Sequence, residues 1–176
     1  ECVPAPSDVP RGAPASTVLY AVGDIHGRLD LLEAMLGAIE AHARQRPGAQ
    51  SQVIFLGDYL SRGQDSRGVV ERILRWRATC PEHWRVISLK GNHEDLALRY
   101  LSGDLEAARH WFDYDGLDAL RDYGVALPTQ CQPIATPQEL GGLAQPVPVL
   151  MTPVAKAFDD ATLESLRHAF ATALPA

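Results

Sequence analysis

Residues 17–27, Thr-Val-Leu-Tyr-Ala-Val-Gly-Asp-Ile-His-Gly, carry a short apolar run with β-branched and aromatic members straight into a glycine-bounded loop holding Asp24 and His26. The same arrangement recurs twice. Residues 52–56 (QVIFL) lead into Gly57-Asp58-Tyr59-Leu60-Ser61-Arg62-Gly63, and residues 85–89 (RVISL) lead into Gly91-Asn92-His93-Glu94. Asp24, Asp58 and Asn92 are evenly spaced, one strand–helix unit per step. Between them the apolar period becomes helical. Leu29, Leu32, Leu36 and Ile39 mark a first helix, with Asp30 and Glu33 near its positive start and an end expected near Pro47-Gly48. Val69, Val70, Ile73, Leu74 and Trp76 mark a second, ending before Cys80-Pro81, and a third is expected over 94–101. The order β-α-β-α-β-α with short connections predicts an α/β fold: buried strands in a parallel sheet with right-handed crossovers.

Outward from this core, residues 1–16 hold four prolines and read as a flexible lead-in, leaving 17–176 as one domain. Residues 103–124 read as short helical pieces with aromatics. Residues 125–153, with six prolines and Gly141-Gly142, read as loop or irregular hairpin. A helical period returns over 160–174, with Leu163, Leu166, Phe170 and Leu174 on one face. The chain of 176 residues, 46% hydrophobic and 22% charged, is long enough to bury a core. No apolar run reaches the length of a membrane span, so no membrane partner is expected. Net charge is −6 and the basic residues are scattered, which argues against nucleic acid but not against a phosphate substrate, since bound cations would reverse the local sign. Cys2, Cys80 and Cys131 fit neither a disulfide framework nor a zinc knuckle, and a cytoplasmic location is the default. The first residue is Glu1, so a longer reading frame is expected.

Ligands of open α/β sheets gather beyond the carboxyl ends of the strands, where all three glycine-bounded loops lie. Asp24 and His26, one residue apart, can reach a single ion. Asp58, on the neighbouring loop, can bridge two cations, and Asn92 offers an uncharged carbonyl oxygen. Mixed oxygen and nitrogen donors suit Mn, Fe or Zn. Two such ions about 3.5–4 Å apart can hold a bridging hydroxide and clamp phosphoryl oxygens for in-line attack. The loops together describe half of a two-metal site for phosphate ester hydrolysis.

From Val18 to Val125 the chain resembles the calcineurin-like metallophosphoesterases, and within them the phosphoprotein (serine/threonine) phosphatase branch, with patterns GDxHG, GDxxDRG and GNHE. The stretches GQDSRGVV from Gly63 and WFDYDGLDALRDYGV from Trp111 resemble its bacterial members. The resemblance implies a two-sheet sandwich flanked by helices, of which mainly the first βαβαβ half is present, so C-terminal truncation is expected. It also implies self-association through the surface left uncovered. Asp24 and His26 resemble first-metal ligands, Asp58 the bridging carboxylate, and Asn92 a second-metal ligand and phosphate contact. Arg62 resembles the guanidinium that grips the phosphate, and His93 the general acid. The implied activity is hydrolysis of phosphomonoesters, phosphoserine or phosphothreonine first, with phosphorylated protein or a small phosphoester as substrate. Dinucleoside polyphosphate hydrolysis shares these motifs. A non-catalytic interaction module is the reading from another class.

Two departures from the pattern bear on the chemistry: the family's further metal-binding histidines, on strands that follow a helix resembling 160–174, have no counterpart here, and the second motif is altered. Ser61 stands where the family has the Asp that pairs with the third-motif histidine, and serine can orient an imidazole but brings no charge. Asp65 is a candidate to substitute. Glu94 and Asp95 are expected to cap the following helix. His42, His83, His110 and His168 read as solvent-facing or core-satisfied, Trp76, Trp84 and Trp111 as core aromatics, and Asp113, Asp115, Asp118 and Asp122 as a solvated face.

Overall fold

The computed structural model describes residues 16–128 and 159–174. The expected lead-in and most of the proline-rich loop lie outside the described residues. The chain runs β1 (Thr17–Val22), α1 (Leu29–Arg44), β2 (Gln50–Phe55), α2 (Ser66–Thr79), β3 (Trp84–Ser88), α3 (Asn92–Leu101), α4 (Leu105–Phe112), α5 (Gly116–Asp122) and α6 (Asp160–Ala173). The three strands form a parallel sheet in the order β1-β2-β3, with Val53 opposite both Tyr20 and Val86. Spatial order therefore follows sequence order, and the three motif loops emerge side by side at one end of the sheet.

Period-2 alternation decides which face is covered. Val53 and Phe55 are fully buried against Leu32, Leu36 and Ile39 of α1 and Val69, Ile73 and Trp76 of α2. Arg72 on Glu33 and Trp76 Nε1 on Glu40, both at 2.7 Å, tie the two helices together. The opposite face is open among the described residues: Leu19 is 52% exposed, Ala21 is exposed, and Leu56 and Leu89 just past their strands are about half exposed. The expectation of a buried first strand is corrected here, because among the described residues helices cover one side of the sheet only.

A second core joins α3 to α6. Tyr100, Trp111, Phe112, Leu120, Leu163 and Phe170 pack together, and the Tyr100 hydroxyl donates to the Leu163 carbonyl at 2.6 Å. The helical reading of residues 160–174 is realised as α6, capped by Asp159 through Thr162 N at 2.8 Å. The third helix begins at Asn92 rather than at Glu94, so Asn92 and His93 lie in its first turn. No helix among the described residues is long and apolar enough to cross a membrane.

Candidate metal centre

The first two loops are stitched backbone to backbone. Ile25 N and His26 N both donate to Asp58 O at 3.0 and 2.9 Å, Gly27 N donates to Tyr59 O at 2.8 Å, and Asp65 N donates to Gly27 O at 3.0 Å. Contact this close explains two motif glycines. A Cβ on Gly63 would overlap the carbonyls of His26 and Gly27, and one on Gly91 would overlap the carboxylate and amide of Asp58. His26, Asp58, Ser61 and Arg62 all have left-handed φ, from 45° to 72°. Each costs on the order of 1–2 kcal/mol for a non-glycine residue, so the cross-loop bonds must over-determine this backbone.

One side chain binds the second loop to the third. Glu94 Oε2 accepts from Asp58 N at 2.8 Å and Gly91 N at 2.9 Å, while Oε1 accepts from Tyr59 N at 2.8 Å and Leu60 N at 3.2 Å. Glu94 thus caps α3, as its position predicts, and also holds three successive amides of the Asp58 loop. Asp95 instead pairs with Lys90 at 2.5 Å. The Tyr59 phenol, pushed up to about 12 by burial and by Glu94, stays protonated and donates to Leu89 O at 2.7 Å.

Asp24, His26 and Asp58 each present one ligand atom, all within 4.8 Å of one another. His26 Nδ1 lies 2.9 Å from Leu60 O, which makes Nδ1 the protonated nitrogen and Nε2 the lone-pair nitrogen that would face an ion once Arg62 swings away from it. Nε2 stands 3.7 Å from Asp24 Oδ2, and Arg62 Nη1 reaches it at 3.2 Å. Asp58 Oδ1 accepts from His93 N at 3.1 Å. Two carboxylates and an imidazole of fixed tautomer fit a divalent transition ion. Asn92 is exposed at the start of α3, directly before His93.

His93 is 1% exposed, packs edge-on to His26 with ring centroids 4.8 Å apart, and its buried Nδ1 has no hydrogen-bond partner among the described residues. Burial pushes its pKa down, and His26 adds to this, against weaker opposition from Asp58. Neither expected helper reaches it. Asp65 caps α2, accepting from Gly68 N at 2.7 Å. Ser61 is fully buried, and its hydroxyl accepts from Trp111 Nε1 at 3.1 Å. Serine therefore does not orient the imidazole as its position suggested.

Asp122 departs from the solvated-face reading. It is half-buried and accepts from Ser66 N at 2.6 Å, with burial raising its pKa. The other histidines stand apart: His42 pairs with Tyr20, His83 with Trp84, His168 with Glu164 O, and His110 sits edge-on to Tyr114. A cavity of about 570 Å³ lies at the far end of the sheet, against Arg44, Trp76, Cys80 and Trp84, remote from the ligand cluster.

Residues 17–150 match the calcineurin-like phosphoesterase family. Over 93 residues the chain is 36% identical to the serine/threonine-protein phosphatase 6 catalytic subunit of Drosophila melanogaster, covering 51% of this chain and 27% of that protein. Over 96 residues it is 30% identical to an uncharacterized protein of Caenorhabditis elegans, covering 52% of this chain and 37% of the relative. The matched stretch spans well under half the length of either relative.

Proposed function

Because the chain belongs to the calcineurin-like phosphoesterase family, we propose that it is a metal-dependent phosphomonoesterase acting on phosphoserine or phosphothreonine in proteins. The observation that carries this reading is the convergence of Asp24, His26 and Asp58 within 4.8 Å, with Arg62 on His26. The first ion would be held by Asp24, His26 and Asp58, and a second, weaker one by Asp58 and Asn92, with Mn, Fe or Zn as the fitting metals. Bound there, divalent cations supply Lewis-acid activation of water and of the phosphoryl oxygens.

The chain's own residues do the rest. Arg62 presents an exposed guanidinium fork suited to bidentate contact with a phosphate. The first turn of α3 lies against the ligand cluster, with His93 N donating to Asp58 Oδ1. His93 gives the proton to the leaving oxygen. Its burial disfavours the protonated form, and no carboxylate offsets this at Nδ1. Similarity to a serine/threonine phosphatase favours phosphoprotein over dinucleoside polyphosphate as substrate.

The test is hydrolysis by the Mn(II)-loaded protein of a phosphoserine peptide, an alkyl phosphate, p-nitrophenyl phosphate and diadenosine tetraphosphate. Release of phosphate from the peptide supports the reading, and turnover of the dinucleotide alone replaces it with the alternative. Ser61→Asp restores the carboxylate of the family pattern at a position where the serine hydroxyl meets Trp111 Nε1 instead of His93, so the new charge acts on the imidazole only if the longer side chain leaves the indole. General acid catalysis is worth about 10²–10⁴-fold. Ser61→Asp should recover roughly tenfold of it on the alkyl phosphate and little on p-nitrophenyl phosphate, whose leaving group needs no proton. His93→Ala should erase the gain. An equal gain on both substrates would refute the general-acid role.

A further inference from the structure

We propose that the α4–α5 hairpin is a positioning clamp for Arg62, acting through Trp111 and Asp122; this rests on the reading of Arg62 as the phosphate contact. Ser61 and Arg62 are consecutive residues in the left-handed region, φ 72° and 66°, where neither side chain favours the backbone. Something outside the loop must hold them. Two side chains from the helical layer do so. Trp111 of α4 donates its indole N–H to the buried Ser61 hydroxyl at 3.1 Å. Asp122 of α5 accepts from Ser66 N at 2.6 Å, and the Ser66 hydroxyl in turn accepts from Ser61 N at 3.1 Å. The side chain and the amide of Ser61 are therefore both tied, one to each helix of the hairpin. Arg62 follows directly and points its guanidinium at His26.

The indole is itself seated. Trp111 is fully buried, its ring 6.0 Å from that of Phe170 on α6 and 6.4 Å from that of Tyr100 on α3. Gly116 gives it room, since a Cβ there would lie 2.6 Å from the indole Cδ2. The second core thus has a mechanical link to the phosphate-facing loop. The metal ligands Asp24, His26 and Asp58 are held by other bonds, chiefly those from backbone and from Glu94 to the Asp58 loop. The clamp predicts weakened phosphate binding with metal binding intact, a separation that a general loss of stability would not produce.

The experiment titrates inorganic phosphate, and separately Zn(II), into wild type, Trp111→Phe, Ser61→Ala, Arg62→Ala and the double variants by calorimetry. Trp111→Phe keeps an aromatic ring but removes the N–H, and Ser61→Ala removes the acceptor without touching the core. Each should weaken phosphate binding about 3- to 10-fold, the worth of one neutral hydrogen bond, and leave Zn(II) affinity within about twofold. Combining Trp111→Phe with Ser61→Ala should cost no more than either alone. In the Arg62→Ala background neither should have further effect. The indole N–H resonance lost in Trp111→Phe should move in Ser61→Ala, which reports the bond independently of any ligand. Wild-type phosphate affinity retained in both single variants overturns the clamp, as does a full loss persisting in Arg62→Ala. No phosphate binding by the Zn(II)-loaded wild type overturns the reading of Arg62 itself, and the clamp with it.

Discussion

Glu94→Ala is expected to cost roughly 3–6 kcal/mol of stability, from hydrogen bonds to a charged group worth about 1.5–3 kcal/mol each before water replaces some of them. Four backbone amides converge on that carboxylate, and three of them belong to the loop that carries Asp58. Set against a whole-domain stability of about 5–15 kcal/mol, this is enough to leave the protein largely unfolded on mild warming. Glu94→Gln should be nearly as harmful, because the amide NH₂ would face N–H donors. Urea denaturation checks this: the midpoint should fall with the slope unchanged. A loss below about 1 kcal/mol would show that the Asp58 loop keeps its shape without the carboxylate.

A comparable effect is expected from Gly91→Ala, by steric means. Its Cβ would overlap the Asp58 carboxylate and amide, and neither backbone nor ligand can move without breaking the stitched loops. Metal affinity and thermal stability should therefore fall together. Gly23→Ala is the internal control. It alters another motif glycine, but an added Cβ meets nothing within 4 Å and φ is not left-handed. That variant should change stability by no more than about 0.5 kcal/mol, as other unstrained surface changes do. Equal damage at both positions would mean that the glycines serve some purpose other than close packing of the loops.

The contrast between these glycines marks how far the sequence could be read. The strand-then-loop pattern was legible because each motif is local: apolar residues, then glycine, then ligand. The helical period of residues 160–174 was legible for the same reason. Glu94 was legible only as a helix cap, because its other three donors lie about 35 residues away and are backbone groups of any residue type. The same holds for Ser61 and Trp111, 50 residues apart, and for Asp122 and Ser66, 56 apart. An acidic cluster on a helix normally faces water, and nothing in residues 113–122 singles out Asp122 as the partner of Ser66 N. The open face of β1 was hidden because an apolar run does not reveal whether one side is covered or two. The likeness to bacterial phosphatases rests on residues 63–70 and 111–125 alone, while the relatives reported above are animal proteins.

Calorimetric titration of Mn(II) or Zn(II) into the metal-free protein, beside Asp58→Asn and His26→Ala, is the most direct test of the metal centre. One tight and one weak site are predicted in wild type. The tight one should lose at least about 100-fold in affinity in each variant, since ligand loss exceeds the 10–100-fold typical of outer-shell changes. Two equally tight ions would show ligands beyond Asp24, His26, Asp58 and Asn92. Absence of binding in wild type, or binding unchanged by both substitutions, would contradict a metal centre at the strand ends.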